Sequence, residues 1–387
     1  MNYEFTAAEK EKIQAFERFC REEVAPQASD LLSGQRNARD VLRSLFPRLG
    51  GVGYLGLSQP EAWGGQGESL ILQAALGEKL AGTSPTVHLS AYTSGVHCGQ
   101  LIGRFGSEGQ RASFLRDLLS GRRVAALART EARGGLDLEG METSAQRDGD
   151  HYLLQGEKFF CVNAPLADFF LVFACLDRGK AGKAGLCCFL VPRDAAGLSV
   201  ESAVYPVGYV GLPVASLVLK GVRLDKSRLV GAEGMGDDVL RESWQWDALG
   251  ITCCSIGILE ASLETAFAYS QQRTSFGKPI GAYQEVSFKL AEARAMLDTA
   301  RLLSQKSVWM KQCQDAEAET LLRCAKLYAS EAGTKCAGYA LQILGGRGAL
   351  KEGALGELFL CAKANEIGGG TSEMHRIRIA KSVLDSV

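Results

Sequence analysis

The spacing of apolar side chains divides the chain into three stretches. Thr6-Ala7-Ala8-Glu9 reads as a capping box, hydroxyl and carboxylate each satisfying the other's end of a first helical turn, and the helix it opens is expected to run to Pro26. Helices also fit residues 39–46, 68–82 and 108–119, with turns at Gly64-Gly65-Gln66-Gly67 and from Gly103 to Gly109. From about residue 122 to 228 the pattern shortens to β-rich runs broken by Gly, Asp and Lys: His151–Leu154, Phe159–Val162, Phe169–Ala174, Leu186–Val191 and Ala215–Leu219. Runs at that spacing predict a small barrel or sandwich. After Gly236 the helical period returns, and Val286, Leu290, Ala293, Leu297 and Ala300 recur four and three apart, as along the seam of a bundle helix. Eight of the nine prolines lie at or before Pro213, which leaves the C-terminal part free to be helical. The expected class is α+β, mainly α, with boundaries at 1–121, 122–228 and 229–387.

Composition narrows the partners. Lys and Arg total 43 against 44 Asp and Glu, a formal charge of -1, so no global basic field exists to hold a nucleic acid. The start, MNYEFTAAEKEK, lacks the basic flank and apolar run of a secretion signal, and no stretch of about 18 uncharged apolar residues is present to span a bilayer; a soluble, cytoplasmic protein is expected. The twelve cysteines contain no Cys-x-x-Cys. Cys187-Cys188 and Cys253-Cys254 are adjacent pairs, whose side chains diverge on either a strand or a helix, so they read as small buried hydrophobes. His88, His97, His151 and His375 never fall at zinc-like spacing, and no metal is expected.

Gly51-Val52-Gly53-Tyr54-Leu55-Gly56 fits a dinucleotide fingerprint by letter but follows a helical segment, Val41 to Phe46, where that fingerprint needs a strand. Phosphate-loop, nucleophile-elbow and zinc-protease motifs do not occur. Three segments carry more. Arg273-Thr274-Ser275-Phe276-Gly277-Lys278-Pro279-Ile280, followed by Gln284, breaks one long helix and starts another. Leu341-Gln342-Ile343-Leu344-Gly345-Gly346-Arg347-Gly348 is a helix end whose glycines expose backbone amides, suited to a phosphate or to a tight cap. Glu366-Ile367-Gly368-Gly369-Gly370-Thr371-Ser372 puts a triple glycine before a helix, where backbone can approach a flat ligand.

In order and spacing these segments resemble the acyl-CoA dehydrogenase family over the whole chain. The stretch from Leu49 to Leu57 with Pro60-Glu61 looks like that family's N-terminal helical domain. Thr130-Glu131-Ala132-Arg133-Gly134-Gly135-Leu136-Asp137 is similar to its flavin loop, and the run from Gly156 to Ala164 with Ala167-Asp168 to the strand behind the flavin ring. The resemblance implies a helical domain, a β-barrel and a C-terminal four-helix bundle, FAD, and a homodimer or homotetramer. It places Thr130, Phe160, Val162 and Thr371 on the cofactor. Arg273, Phe276 and Gln284, with Gln342, Gly345 and Gly346 from a neighbouring copy, are implied at its pyrophosphate and adenine end. It also implies an acyl-CoA or acyl-carrier-protein substrate, and electron-transfer flavoprotein or oxygen as acceptor.

The family's reaction needs a carboxylate for the α-proton of an acyl thioester, and most members carry it as Glu immediately before Gly-Thr-Ser. Here that position is Gly369, which offers only a backbone N–H. A minority resembling isovaleryl-CoA dehydrogenase carry the base on the helix before the Arg-x-x-Phe-Gly motif, and counting back 26 residues from Arg273 lands on Asp247. Asp247 stands at the mouth of the charge-free stretch Ala248–Leu259, where an isolated carboxylate beside apolar helix faces is expected to be a stronger base. The competing reading is a helix cap. Glu366 is a fallback base, more naturally structural. The relocated-base enzymes place Arg after the Glu, but this chain has Ala248. Leu136, Val162 and Phe160 replace the family's Ser, Thr and Trp, implying a drier flavin pocket. Two further readings stand beside an acyl-CoA dehydrogenase: oxidation of an acyl or aminoacyl group on a carrier protein, and a non-catalytic relative used for binding or assembly.

Overall fold

The computed structural model describes residues 4–135, 141–176, 185–350 and 354–385. The chain opens with α1 (Ala7–Phe19), α2 (Ala25–Ser33), α3 (Ala38–Gly51), α4 (Leu70–Thr83), α5 (Pro85–Ala91), α6 (Gly99–Phe105), α7 (Glu108–Gln110) and α8 (Arg116–Leu119). Thr6 and Glu9 form the expected reciprocal cap. The first helical rod nevertheless runs past Pro26. A π-turn over Cys20–Val24, closed by the Ala25 N–H on the Cys20 carbonyl, shifts the hydrogen-bond register, and Pro26 falls in the first turn of α2, where its missing N–H costs nothing. A second π-turn, Tyr92–Cys98, joins α5 to α6 in a rod the sequence pattern did not show, because nearly every position in it is buried and no polar stripe marks its period.

The middle of the chain forms one eight-stranded sheet from β1 (Ala125–Ala128), β2 (Ser144–Asp148), β3 (His151–Val162), β4 (Phe169–Leu176), β5 (Leu186–Pro192), β6 (Leu198–Val200), β7 (Val214–Asp225) and β8 (Leu229–Val230). Its order is β6-β7-β3-β2-β4-β5-β8, with β1 parallel to β4. His151–Leu154 and Phe159–Val162 are one strand, β3, whose ladder to β7 is interrupted by register shifts at Leu154/Gln155 and Lys158/Cys161. β4 and β5 are buried on both faces: Phe169, Leu171, Phe173, Cys188 and Leu190 pack on the N-terminal helices, while Phe170, Val172, Ala174, Cys187 and Phe189 pack inside the sheet. The adjacent cysteines 187 and 188 thus part to opposite faces, and all twelve cysteines are free thiols.

The C-terminal part packs α9 (Gly236–Gln272), α10 (Gln284–Gln312), α11 (Ala318–Leu344), α12 (Ala354–Asn365) and α13 (Ser372–Leu384) into a helical bundle. A short hairpin, β9 (Thr274–Ser275) with β10 (Lys278–Pro279), separates α9 from α10. Ala248–Leu259 of α9 is buried on every side. One window of α9 has a mean hydropathy of 1.3, enough by length and composition to cross a membrane, although its uncharged run is only Ala248–Leu259; 61% of that window is buried inside the molecule, which makes it a core helix. Gly257 lets α9 touch α4, since a Cβ there would sit 2.4 Å from the Glu78 carbonyl oxygen. That close contact fixes the face of α9 carrying Trp244, Asp247 and Ile251, three positions spaced by three and four.

Candidate active site

A cavity of about 440 Å³ lies where β1, β3, α9 and the glycine turn before α13 converge. Its walls are mostly apolar, with Leu89, Leu127, Phe159, Val162 and Ile251 among them. Thr130, Phe160, Val162 and Thr371, placed on the cofactor by the resemblance, all line it, and so do Asp247 and Gly369. Arg273, Phe276, Gln284, Gln342, Gly345 and Gly346 do not. They lie at the far end of the bundle around the α9–α10 hairpin and the end of α11, with Phe276 95% exposed. Leu136 and Asp137 lie outside the described residues.

The floor is pinned by a buried ion pair. Lys158 Nζ, with no exposed surface, donates to Glu131 Oε1 at 2.8 Å and to the Arg129 carbonyl at 3.2 Å. Glu131 also accepts from the Glu142 and Thr143 amides. Burial works against ionising Glu131, but Lys158 and these amides outweigh it and hold the carboxyl below its usual range. The Phe159 N–H reaches the Thr130 carbonyl at 2.8 Å, so the turn after β1 is tied to β3. At the Lys158/Cys161 irregularity Phe160 takes a positive φ of 55°, which turns its ring out to the cavity lip at 71% exposure.

The opposite wall is the glycine turn. Gly369 and Gly370 have φ of +66° and +100°, in the region that side chains resist. The Gly369 carbonyl faces His375 Nε2 at 3.2 Å, and the Gly370 carbonyl accepts from the buried Lys326 Nζ at 2.6 Å. Burial lowers Lys326 to about 8 and His375 to about 4. With its carbonyls held from behind, the turn leaves the Gly369 N–H without an acceptor among the described residues. A Cβ on Gly369 would lie 3.3 Å from the Cβ of Asp247. Two chain positions far apart in sequence therefore address one point, and only Asp247 presents a carboxylate there.

Asp247 sits in the middle of α9, eleven residues after its start at Gly236, so the helix-cap reading falls. The carboxylate is not isolated, however, and this corrects the expectation drawn from the apolar sequence around it. Its Oδ2 lies 2.5 Å from Arg129 Nη2 and its Oδ1 3.4 Å from His97 Nδ1. Arg129 Nη1 donates to Ser243 Oγ at 2.9 Å, and Ser243 Oγ lies 2.9 Å from His97 Nε2. Burial lowers His97 to about 4, opposed by Asp247, so the imidazole is neutral at pH 7. Glu366 is held by Lys363 at 2.7 Å and does not line the cavity, in keeping with a structural role. Sequence reasoning missed Arg129, His97 and Ser243. The one available signal was an arginine directly after the apolar run Val124–Ala128, where the strand leaves the core.

This arrangement fits a flat aromatic cofactor: an apolar cavity, an exposed aromatic lip, and a wall of glycines that brings bare backbone to the ligand. Comparison with known proteins agrees along the whole chain. The models of the acyl-CoA dehydrogenase N-terminal, middle and C-terminal domains match residues 6–122, 126–222 and 234–384. The chain belongs to the acyl-CoA dehydrogenase family; it is an FAD-dependent oxidoreductase that dehydrogenates acyl thioesters. It is 30% identical to the mitochondrial isovaleryl-CoA dehydrogenase of Oryza sativa subsp. japonica over 381 residues, 98% of this chain and 92% of that protein. The structure is similar to butyryl-CoA dehydrogenase from Megasphaera elsdenii, with a TM-score of 0.94, 27% identity, and coverage of 99% and 100% of the two chains. It is also similar to the prolyl acyl carrier protein oxidase AnaB, with a TM-score of 0.92, 27% identity, and coverage of 98% and 100%.

Proposed function

We propose that Asp247 is the base of this dehydrogenase. It removes the proton from the carbon next to the thioester carbonyl, while the Gly369 N–H donates to the carbonyl oxygen as negative charge develops there. The observation that carries this reading is that Asp247 is the one carboxylate among the described residues lining the cavity, and that it faces Gly369, where a side chain would meet it. Phe160 and Val162 would hold FAD, which when bound would supply the acceptor for the hydride from the β-carbon, leaving a double bond between the α- and β-carbons. Apolar walls exclude water and make each fixed donor count for more. Thr130 and Thr371, from the turns on either side, would hold the ring's polar edge. Arg273, Phe276, Gln284, Gln342, Gly345 and Gly346 lie away from the cavity, which favours their serving a neighbouring copy in a homo-oligomer. Electron-transfer flavoprotein or oxygen would be the electron acceptor. Twelve free thiols favour a reducing, cytoplasmic setting.

The second reading keeps the chemistry and changes the handle: the acyl group arrives on a carrier protein. Similarity to AnaB, a carrier-protein oxidase, favours it specifically. Anaerobic titration of the yellow holoenzyme with a panel of acyl-CoA thioesters, repeated with the same groups on a carrier protein, separates the two. Bleaching by CoA thioesters supports the first reading, bleaching by the loaded carrier alone supports the second, and bleaching by neither contradicts both.

A further inference from the structure

Resting on Asp247 as the base, we propose that Arg129, Ser243 and His97 form a closed ring that holds the Asp247 carboxylate in place, making Arg129 a positioning residue for the α-proton transfer. The contacts that carry it are the four around Asp247: Arg129 Nη2 at 2.5 Å from one oxygen, His97 Nδ1 at 3.4 Å from the other, and Ser243 Oγ at 2.9 Å from both Arg129 Nη1 and His97 Nε2.

With His97 neutral, one arrangement of hydrogens fits all four contacts. The guanidinium has only donors, so Ser243 accepts from Arg129; its hydroxyl hydrogen then points to His97 Nε2, which must be bare; the remaining ring proton is on Nδ1, the nitrogen facing the carboxylate. A doubly protonated His97 would reverse the Ser243 bond, donating from Nε2 to Oγ; burial keeps the ring neutral. The members come from three parts of the fold: Arg129 from the turn directly after β1, His97 from the π-turn after α5, and Ser243 and Asp247 from successive turns of α9. His97 and Ser243 are buried and have no bulk water to take their place. The ring also answers two departures noted in the sequence. The arginine absent after the base, at Ala248, is replaced in space by one from the turn after β1, and the shorter Asp arm gains two fixed neighbours. The Arg129 charge is paired with Asp247 within the ring.

Two measurements on the holoenzyme test this. The first uses no substrate: ¹⁵N-histidine NMR, with the His97 signals assigned by their loss in His97→Gln. The ring requires a neutral His97 protonated at Nδ1, with Nε2 signals that shift in Ser243→Ala; an Nε2-protonated tautomer overturns it. The second follows exchange of the α-hydrogens of 3,3-dimethylbutanoyl thioesters into D2O, as the CoA and the pantetheine derivative, since these compounds have no β-hydrogen and report the base alone. Exchange is expected to slow about 10- to 100-fold in Arg129→Leu and in the milder Ser243→Ala, with partial recovery in Arg129→Lys and with thioester affinity and flavin content little changed. Wild-type exchange rates in both Arg129→Leu and Ser243→Ala, beside loss of exchange in Asp247→Asn, overturn the ring and leave the base standing. Undiminished exchange in Asp247→Asn removes the base and the ring together.

Discussion

A single missing side chain shapes the chemistry of this pocket. Gly369 combines a positive φ with a Cβ direction aimed at Asp247, so the two positions exclude each other as carriers of a long acidic arm. Gly369→Ala is expected to cost about 1–2 kcal/mol of stability, from the left-handed backbone and the 3.3 Å approach to Asp247, measured as a shift in urea midpoint at constant slope. The candidate base was legible from the sequence because it could be counted back from a motif on the same helix. Its surroundings were not: Arg129 and His97 lie more than a hundred residues away along the chain, and no local pattern joins them to Asp247. The expectation of an isolated carboxylate failed for that reason.

Among the elements, the turn after β1 depends on one buried pair. Lys158 and Glu131 satisfy each other beneath the cavity, so Lys158→Met would leave Glu131 buried without its counter-charge. A loss of about 3–5 kcal/mol is expected, with weakened FAD retention as the turn comes free of β3, read by denaturant unfolding and by flavin released on dialysis. Strong periodicity made α10 and the separate strands β4 and β5 visible. Ala125–Ala128 escaped notice because alanine has little strand preference, and its strand character comes from parallel pairing with β4. The end of the first helix was misplaced because Pro26 was read as a stop, whereas a π-turn accommodates it.

Across the whole molecule, buried histidines set the response to acid. Burial holds His88, His97 and His375 each at about 4. Unfolded histidines titrate near 6.5, so between those values the unfolded chain binds more protons than the folded one, and stability falls as pH drops from about 6.5 to 4. Each contributes up to about 3 kcal/mol over that window. Glu78, raised by burial beside Arg301, acts in the opposite sense, so the clean measurement is a difference. The pH slope of unfolding free energy in His88→Gln is expected to be shallower than in the wild type by up to one proton; an unchanged slope contradicts the assignment. The three-part layout was readable because helical and strand periods alternate along the chain, while the cavity arises only where all three parts meet.

The central claim is that Asp247 takes the α-proton, and single-turnover flavin reduction in Asp247→Asn tests it most directly. With a thioester that bleaches the wild-type holoenzyme anaerobically, the account predicts an Asn variant that retains FAD and binds the thioester but bleaches at least about 100-fold more slowly. Bleaching at the wild-type rate would contradict it.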